Sequence, residues 1–349
     1  MKTSAGNFFE DFKLGQKIVH ATPRTITTGD VALYQALYGS RFILQSSERL
    51  ARSIGLPHAP VDRLLVFHTI FGKTVPDISQ NAIANLGYAE GIFSNPVYPG
   101  ATLYAASEII GLKENSNRES GVVYVRTRGV DESGAEVLSY VRWVMVRKRD
   151  AAAAVAGQTV PKLAEAVRGE TLVVPECDFR SFKTALSGSP HLWDDYSVGE
   201  KIDHMDGVTV EEAEHMMATR LYQNTARVHF NQHSESKGRF GRRLIYGGHA
   251  ISLARALSFN GLQNALTIAA VNGGRHVNPL FAGDTVFAWS EVLDKAKVKE
   301  REDCAALRLR LVATKNLPCA GFPDKDADGK YPENIILDFD YWAIMPKRI

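Results

Sequence analysis

The chain repeats itself, and the repeat limits what it can fold into more than any other feature. Residues 11–20, DFKLGQKIVH, return as residues 195–204, DYSVGEKIDH, with five identities in ten at an offset of 184. Residues 95–109, NPVYPGATLYAASEI, return as 278–292, NPLFAGDTVFAWSEV, with seven identities in fifteen at an offset of 183. Between these anchors Leu33-Tyr34-Gln35 pairs with Leu221-Tyr222-Gln223, and near the ends Trp143-Val144-Met145 pairs with Trp342-Ala343-Ile344. Four anchors in one order mark an internal duplication. At 349 residues there is room for two units of ordinary domain size. The first copy occupies residues 1–150 and the second 190–349. Residues 151–189 join them, an Ala-rich run followed by a segment bounded by Pro161 and Pro175, which is linker composition.

Each copy predicts the same elements: an opening Gly turn, a short helix, an irregular loop, a longer helix and several strands. Alternation of β-branched and aromatic residues marks strands in 122–127, 137–147, 306–314 and 335–345. Thr209 with Glu212 reads as a capping box, followed by the apolar stripe Val210, Ala213 and Met217. The longer helices are predicted over 61–75, through Leu64, Leu65, His68 and Phe71, and over 248–259, through Ile251, Ala254 and Leu257. One sheet wrapped about one central helix, made twice, is the economical α+β architecture. Two such units can join sheets edge to edge, which removes exposed edges and leaves a cleft between helices.

Lysine and arginine total 41 and aspartate and glutamate 39, a net charge of +2 with both signs dispersed. No basic field points to a nucleic-acid or membrane partner, so a small molecule is expected. No apolar run approaches the roughly 18 residues a bilayer span requires. The opening MKTSAGNF has neither the apolar core of a secretory signal nor a lipidation motif, and a cytoplasmic location is expected. Cys177, Cys304 and Cys319 are odd in number and lack Cys-x-x-Cys spacing, which fits neither a disulfide framework nor a zinc site.

Positions where the copies diverge from apolar filler to polar chemistry are candidates for a site. After Leu-Tyr-Gln the first copy reads ALYGSRF and the second NTARVHF, which sets Asn224 against Ala36 and His229 against Arg41. A histidine and a carboxamide five residues apart can converge on one water, the imidazole taking a proton and the amide orienting the oxygen. A surface loop whose histidine caps a strand is the plainer alternative. Tyr246-Gly247-Gly248-His249 precedes the longer helix of the second copy. Glycines permit close backbone approach, and amides at a helix N-terminus can hold a developing oxyanion; an ordinary turn is the alternative. Asn278-Pro279 is kept in both copies as Asn95-Pro96 and reads as a turn, with no catalysis assigned to Asp284 there. The motifs of nicotinamide, nucleotide-hydrolysing, zinc-protease and esterase enzymes are absent. The acidic run 324–328 lacks the closing glutamate of a calcium loop and reads as an exposed loop.

Together these residues resemble the MaoC-like, (R)-specific enoyl-CoA hydratases, a hot-dog-fold family whose double members carry one active and one degenerate half. The family's loop places a catalytic Asp, then four residues, then His followed by Phe, and that loop here runs from Asn224 to Phe230. The likeness covers nearly the whole chain and is closest in LVFHTIFGKTVPDIS (65–79), LGYAEGIF (86–93) and LYQNTARVHFN (221–231). It implies a double hot-dog fold, a CoA-thioester substrate hydrated or dehydrated without metal or redox cofactor, and a homodimer. Asn224 departs from the family, since an amide cannot ionise. The resemblance then implies His229 as base towards water and acid towards the leaving hydroxyl, with Asn224 holding the water. It further implies the Gly247 or Gly248 amide polarising the thioester carbonyl and Tyr246 against the substrate. If another acid, such as Glu235 or Asp284, replaces the missing carboxylate, this division of roles fails. The closer match implies a branched dicarboxylic acyl group, and its buried carboxylate calls for an arginine, Arg227 first and Arg41 second. The first copy is expected to shape the acyl end of the pocket. The rivals are a relative acting on another branched or dicarboxylic enoyl-CoA, a thioesterase, and a non-catalytic acyl-CoA-binding protein.

Overall fold

In the computed structural model, which describes residues 2–349, the alternating stretches become the long strands of two antiparallel meanders. The first copy runs β1 (Lys17–Val19), β2 (Arg24–Thr25), α1 (Thr28–Tyr38), α2 (Ile43–Ser46), α3 (Glu48–Ser53), α4 (Arg63–Thr74), β3 (Ala82–Phe93), β4 (Thr102–Glu114), β5 (Ser120–Val130) and β6 (Glu136–Arg147). The second runs β7 (Lys201–Thr209), α5 (Glu212–Leu221), α6 (Arg227–Phe230), α7 (Gln232–Glu235), α8 (Gly247–Leu257), α9 (Phe259–Leu262), β8 (Thr267–His276), β9 (Thr285–Lys297), β10 (Cys304–Lys315) and β11 (Ile335–Pro346). The strands form one sheet in the order β1-β4-β5-β6-β3-β8-β11-β10-β9-β7, with β2 on β4. The copies join where β3 pairs antiparallel with β8, Tyr88 opposite Gly274 and Ile92 opposite Ala270. Each half curls round one helix. α4 is buried along its whole length, and α8 is buried from Gly248 to Arg255. This is the α+β double hot-dog arrangement.

The duplication is visible in contacts. Tyr38 and Tyr222, 184 residues apart, share a hydroxyl hydrogen bond of 2.7 Å, and His68 Nε2 lies 2.9 Å from Ser252 Oγ at the same separation. Equivalent residues meet only where a twofold axis passes, so these two pairs mark the axis relating the copies. Phe67 and Ile70 of α4 share one apolar cluster with Ile251 and Leu253 of α8, so the halves bury a common core. Asp11 pairs with Arg149 as Asp195 pairs with Arg348, and His20 meets Ser107 as His204 meets Ser290.

The structure corrects three expectations. α1 corresponds to α5 and α2 to α6 at the 184 offset, and Gly39 and Gln223 share left-handed φ values of 58° and 56°. The Leu-Tyr-Gln pairing is therefore four residues out of register. Asn224 corresponds to Ser40 rather than Ala36, and His229 to Gln45 rather than Arg41. A slip of four is about one helical turn, which leaves the same side chains on the same face and so looks equally good in the sequence. The capping box belongs to Thr27 and Asp30 at the start of α1, whereas α5 starts after Glu211 without a side-chain cap and Thr209 stays in β7 bonded to Thr285. The joining segment is not a loose tether: Val167, Leu172 and Phe179 are buried in one cluster with Ala270, Trp342 and Ile344. Trp342 Nε1 donates to the Val167 carbonyl at 2.9 Å, and the Val167 amide donates to Asn272 Oδ1 at 2.8 Å.

Candidate active site

The second copy's polar loop is set in place by a close approach of the first copy's central helix. A Cβ on Gly72 of α4 would overlap the Tyr222 carbonyl, so only glycine lets the helix lie against the end of α5. Gln223 then turns the chain in the left-handed region, and Asn224 points inward with 1% of its surface exposed. Its Oδ1 accepts from the Ala226 amide at 3.3 Å, and its Nδ2 has no protein partner. His229 follows on α6. Its Nδ1–H donates to the Leu244 carbonyl at 2.8 Å, which fixes the tautomer and leaves the Nε2 lone pair as the free acceptor. Burial disfavours the imidazolium and pulls the pKa down to about 4, against a weaker opposing pull from the Leu244 carbonyl. His229 is therefore neutral at pH 7.

The start of α8 closes the other side. The Tyr246 amide donates to His215 Nε2 at 2.9 Å, and His215 is itself held neutral by burial, then by the neighbouring His249 and His229. The Gly247 and Gly248 amides, at the first turn of α8, have no carbonyl one turn back to bond. Gly247 is required there by packing, because a Cβ would overlap the His276 ring. His229, Asn224, Tyr246 and Gly247 line one cleft of about 530 Å³. Its opposite wall comes from the first copy, through Phe71, Asn85, Tyr88 and Arg142.

Other expected residues lie elsewhere. Gly248 is buried behind the wall, where a Cβ would overlap the rings of Tyr246 and His68, so the cleft-facing glycine is Gly247. Arg227 and Arg41 are exposed and outside the cleft lining, since α6 turns His229 inward and Arg227 outward. Asp284 accepts from the Phe281 amide and from Asn316 Nδ2 and so belongs to its turn, whereas Glu235 lines the cleft. Asn278 anchors its turn through the Pro332 and Ile335 carbonyls. In the acidic run, Asp324 pairs with Arg310 and Asp326 caps amides of its own loop.

Residues 2–318 match the family described as mesaconyl-CoA hydratase. The chain belongs to the mesaconyl-CoA hydratase family. It is 63% identical over 348 residues to a β-methylmalyl-CoA dehydratase of Chloroflexus aurantiacus, covering 99% of both chains. It is 61% identical to a mesaconyl-CoA hydratase of Cereibacter sphaeroides, covering 99% of this chain and 100% of that one. A crystal structure of a MaoC domain protein dehydratase from Chloroflexus aurantiacus is similar over the full length of both chains, with a TM-score of 0.98 at 62% identity.

In this mesaconyl-CoA hydratase family member the equivalent positions of the first copy carry different chemistry. Ser40, Gln45, Asp62 and Arg63 stand where the second copy has Asn224, His229, Tyr246 and Gly247, and the space beside them shrinks to about 10 Å³. Gln45 Nε2 is bonded to the Leu266 carbonyl, and Arg255 fills the gap. His276, Tyr88 and Arg142 of the cleft escaped the sequence reading. His276 ends β8 with Nε2 3.3 Å from the Tyr88 hydroxyl, and burial pulls its pKa down to about 4. Arg142 is wholly buried on β6. Its signal was present, a charged residue in the inward phase of an otherwise apolar strand, Tyr140, Val144 and Val146 sharing that face.

Proposed function

We propose that this chain reversibly hydrates mesaconyl-CoA (2-methylfumaryl-CoA) to β-methylmalyl-CoA. His229 Nε2 takes a proton from water as the water oxygen bonds to the alkene carbon β to the thioester. The electron pair of the double bond moves through the α carbon onto the thioester oxygen, where the Gly247 amide at the α8 N-terminus opposes the charge. The imidazolium then returns the proton to the α carbon, so one water is added and nothing else is consumed. Asn224 Nδ2 donates to the water and aims its lone pair. Dehydration is the same path reversed, with His229 protonating the departing hydroxyl. The first copy supplies the wall facing the acyl group and no acid–base chemistry.

The observation that carries this reading is a neutral imidazole with its free Nε2 in the same cleft as an unpartnered amide and a helix N-terminus, in a chain of this family. The rim, with Arg147, Lys237 and Arg239, suits the phosphates of coenzyme A. Among the described residues no helix is long and apolar enough to cross a membrane. A cytoplasmic homodimer is the accompanying proposal, read by light scattering of the purified protein. The central test incubates the protein with 2-methylfumaryl-CoA, whose thioester adjoins the methyl-bearing carbon. Loss of enoyl-thioester absorbance, without free thiol and with a product heavier by one water, is the expected result. Release of free thiol would instead mean thioester hydrolysis, and no change with any enoyl-CoA would leave a binding protein.

A further inference from the structure

Arg142 is a charge without a counter-charge. Its residue is 0% exposed, and its bonds run only from Nη2, to Thr74 Oγ1 at 2.9 Å and Ser79 Oγ at 3.3 Å. Nε and Nη1 are buried and unpartnered, and the guanidinium lies 4.2 Å over the Phe71 ring. The ionisable groups that act on it are the phenols of Tyr140, Tyr88 and Tyr246, none of them anionic at neutral pH, and no carboxylate is among them. A guanidinium stripped of water and left unpaired is costly, and it persists in interiors where an anion arrives to complete it. Asn85, on the same cleft wall, likewise has neither amide atom bonded.

The closed pocket of the first copy shows the contrast. At the 184 offset Arg255 corresponds to Phe71, and Tyr341 stands on β11 where Arg142 stands on β6, so arginine and aromatic ring have exchanged places. Arg255 is satisfied by the protein: Nη1 donates to Ser258 Oγ, Nη2 to the Ala265 carbonyl, and Asp62 lies in the same small cavity. The pocket with no room brings its own carboxylate, while the pocket with about 530 Å³ leaves its arginine without one.

We propose that Arg142 receives the free carboxylate of the acyl group and makes the site selective for dicarboxylic over monocarboxylic enoyl-CoA thioesters. This rests on the hydratase reading above. In 2-methylfumaryl-CoA the carboxylate is bonded to the very carbon that water attacks, so its receptor must lie deep beside the base, which excludes the rim cations. Tyr246 spans that gap, its ring centroid 5.5 Å from His229 and 5.6 Å from Phe71. Contacts in series from His229 to Tyr246, Phe71 and Arg142 therefore link the base to the guanidinium along one cleft. With Nη2 held by Thr74 and Ser79, the unpartnered Nη1 can donate to a carboxylate oxygen while the delocalised charge opposes the anion, and the Asn85 amide stands on the same wall.

The test compares 2-methylfumaryl-CoA with tiglyl-CoA, which has a methyl group in place of the carboxylate, in the full-length enzyme and in Arg142→Met and Arg142→Lys. Arg142→Met should lower kcat/KM for the dicarboxylic substrate by about 100-fold or more, and leave that for tiglyl-CoA unchanged or raised. Arg142→Lys, which keeps the charge and loses the planar guanidinium, should fall between. If Arg142→Met does not fold, the collapse of the substrate ratio is read in Arg142→Lys alone. Affinities for two saturated thioesters that cannot be hydrated, methylsuccinyl-CoA and 2-methylbutyryl-CoA, give a readout independent of turnover: only the first should weaken. Equal loss on both substrates, or an unchanged ratio of affinities, would overturn the proposal and leave Arg142 a packing residue. If wild-type protein turns over neither substrate yet binds methylsuccinyl-CoA in an Arg142-dependent way, the hydratase reading fails and the carboxylate site stands.

Discussion

Replacing His229 with Ala removes the group on which the hydration depends, and the structure sets the size and pH dependence of the loss. Nδ1 is committed to Leu244, so Nε2 is the only proton acceptor the ring offers. With a pKa pulled down by burial to about 4, about one imidazole in a thousand is protonated at pH 7. The base is thus in its active form from about pH 6 upwards, and kcat/KM for hydration should be flat from pH 6 to 9 instead of halving near pH 6.5. Loss of a positioned base costs about 100- to 10,000-fold, or roughly 3–5 kcal/mol of barrier. The assay is enoyl-thioester absorbance at fixed pH values in overlapping buffers, with thermal unfolding of the variant measured alongside. Activity above a tenth of wild type in a folded His229→Ala protein would refute the base assignment. A half-maximal point near pH 6.5 that belongs to His229 would refute the partly buried, neutral imidazole.

Gly247→Ala should lower kcat/KM by about 100-fold or more, with a stability loss of about 1–3 kcal/mol, because the added methyl must displace either the His276 ring or the start of α8; steady-state kinetics and urea unfolding separate the two effects. Arg227→Ala and Arg41→Ala, both changes at exposed positions outside the cleft, should leave KM for 2-methylfumaryl-CoA within about threefold of wild type, a shift near the roughly 0.5 kcal/mol seen for ordinary surface changes. Burial holds His68 and His249 at about 3 and His204 at about 4, below the 6.5 of the unfolded chain. The unfolded state therefore binds the extra protons, and stability is complete above pH 6.5 and falls as pH drops towards 4. Each such histidine contributes a slope of about 1.4 kcal/mol per pH unit, and urea midpoints at pH 7.5, 6 and 5 should fall accordingly.

Duplication, the two central helices and the pairing of Asn224 with His229 were legible in the chain, because periodicity and internal likeness are local properties of a sequence. The register of the copies was not, since a four-residue slip in α1 preserves its buried face, and only the shared left-handed turn at Gly39 and Gln223 breaks the tie. β8 was unreadable for a related reason. The joining segment covers its outer face, so residues 267–272 are all buried and the alternation that betrays a strand is lost. The opposite wall of the cleft was decided by tertiary structure alone: Tyr88 meets His276 across 188 residues, and Arg142 reaches the second copy's site only because β3 and β8 join the two sheets. A sequence fixes which side chains a strand can present to one face, but whether an arginine there is solvated, paired or left waiting for an anion depends on what folds over it. That is why Arg227, beside the histidine in sequence, lies outside the cleft, while Arg142, far away in the chain, lines it.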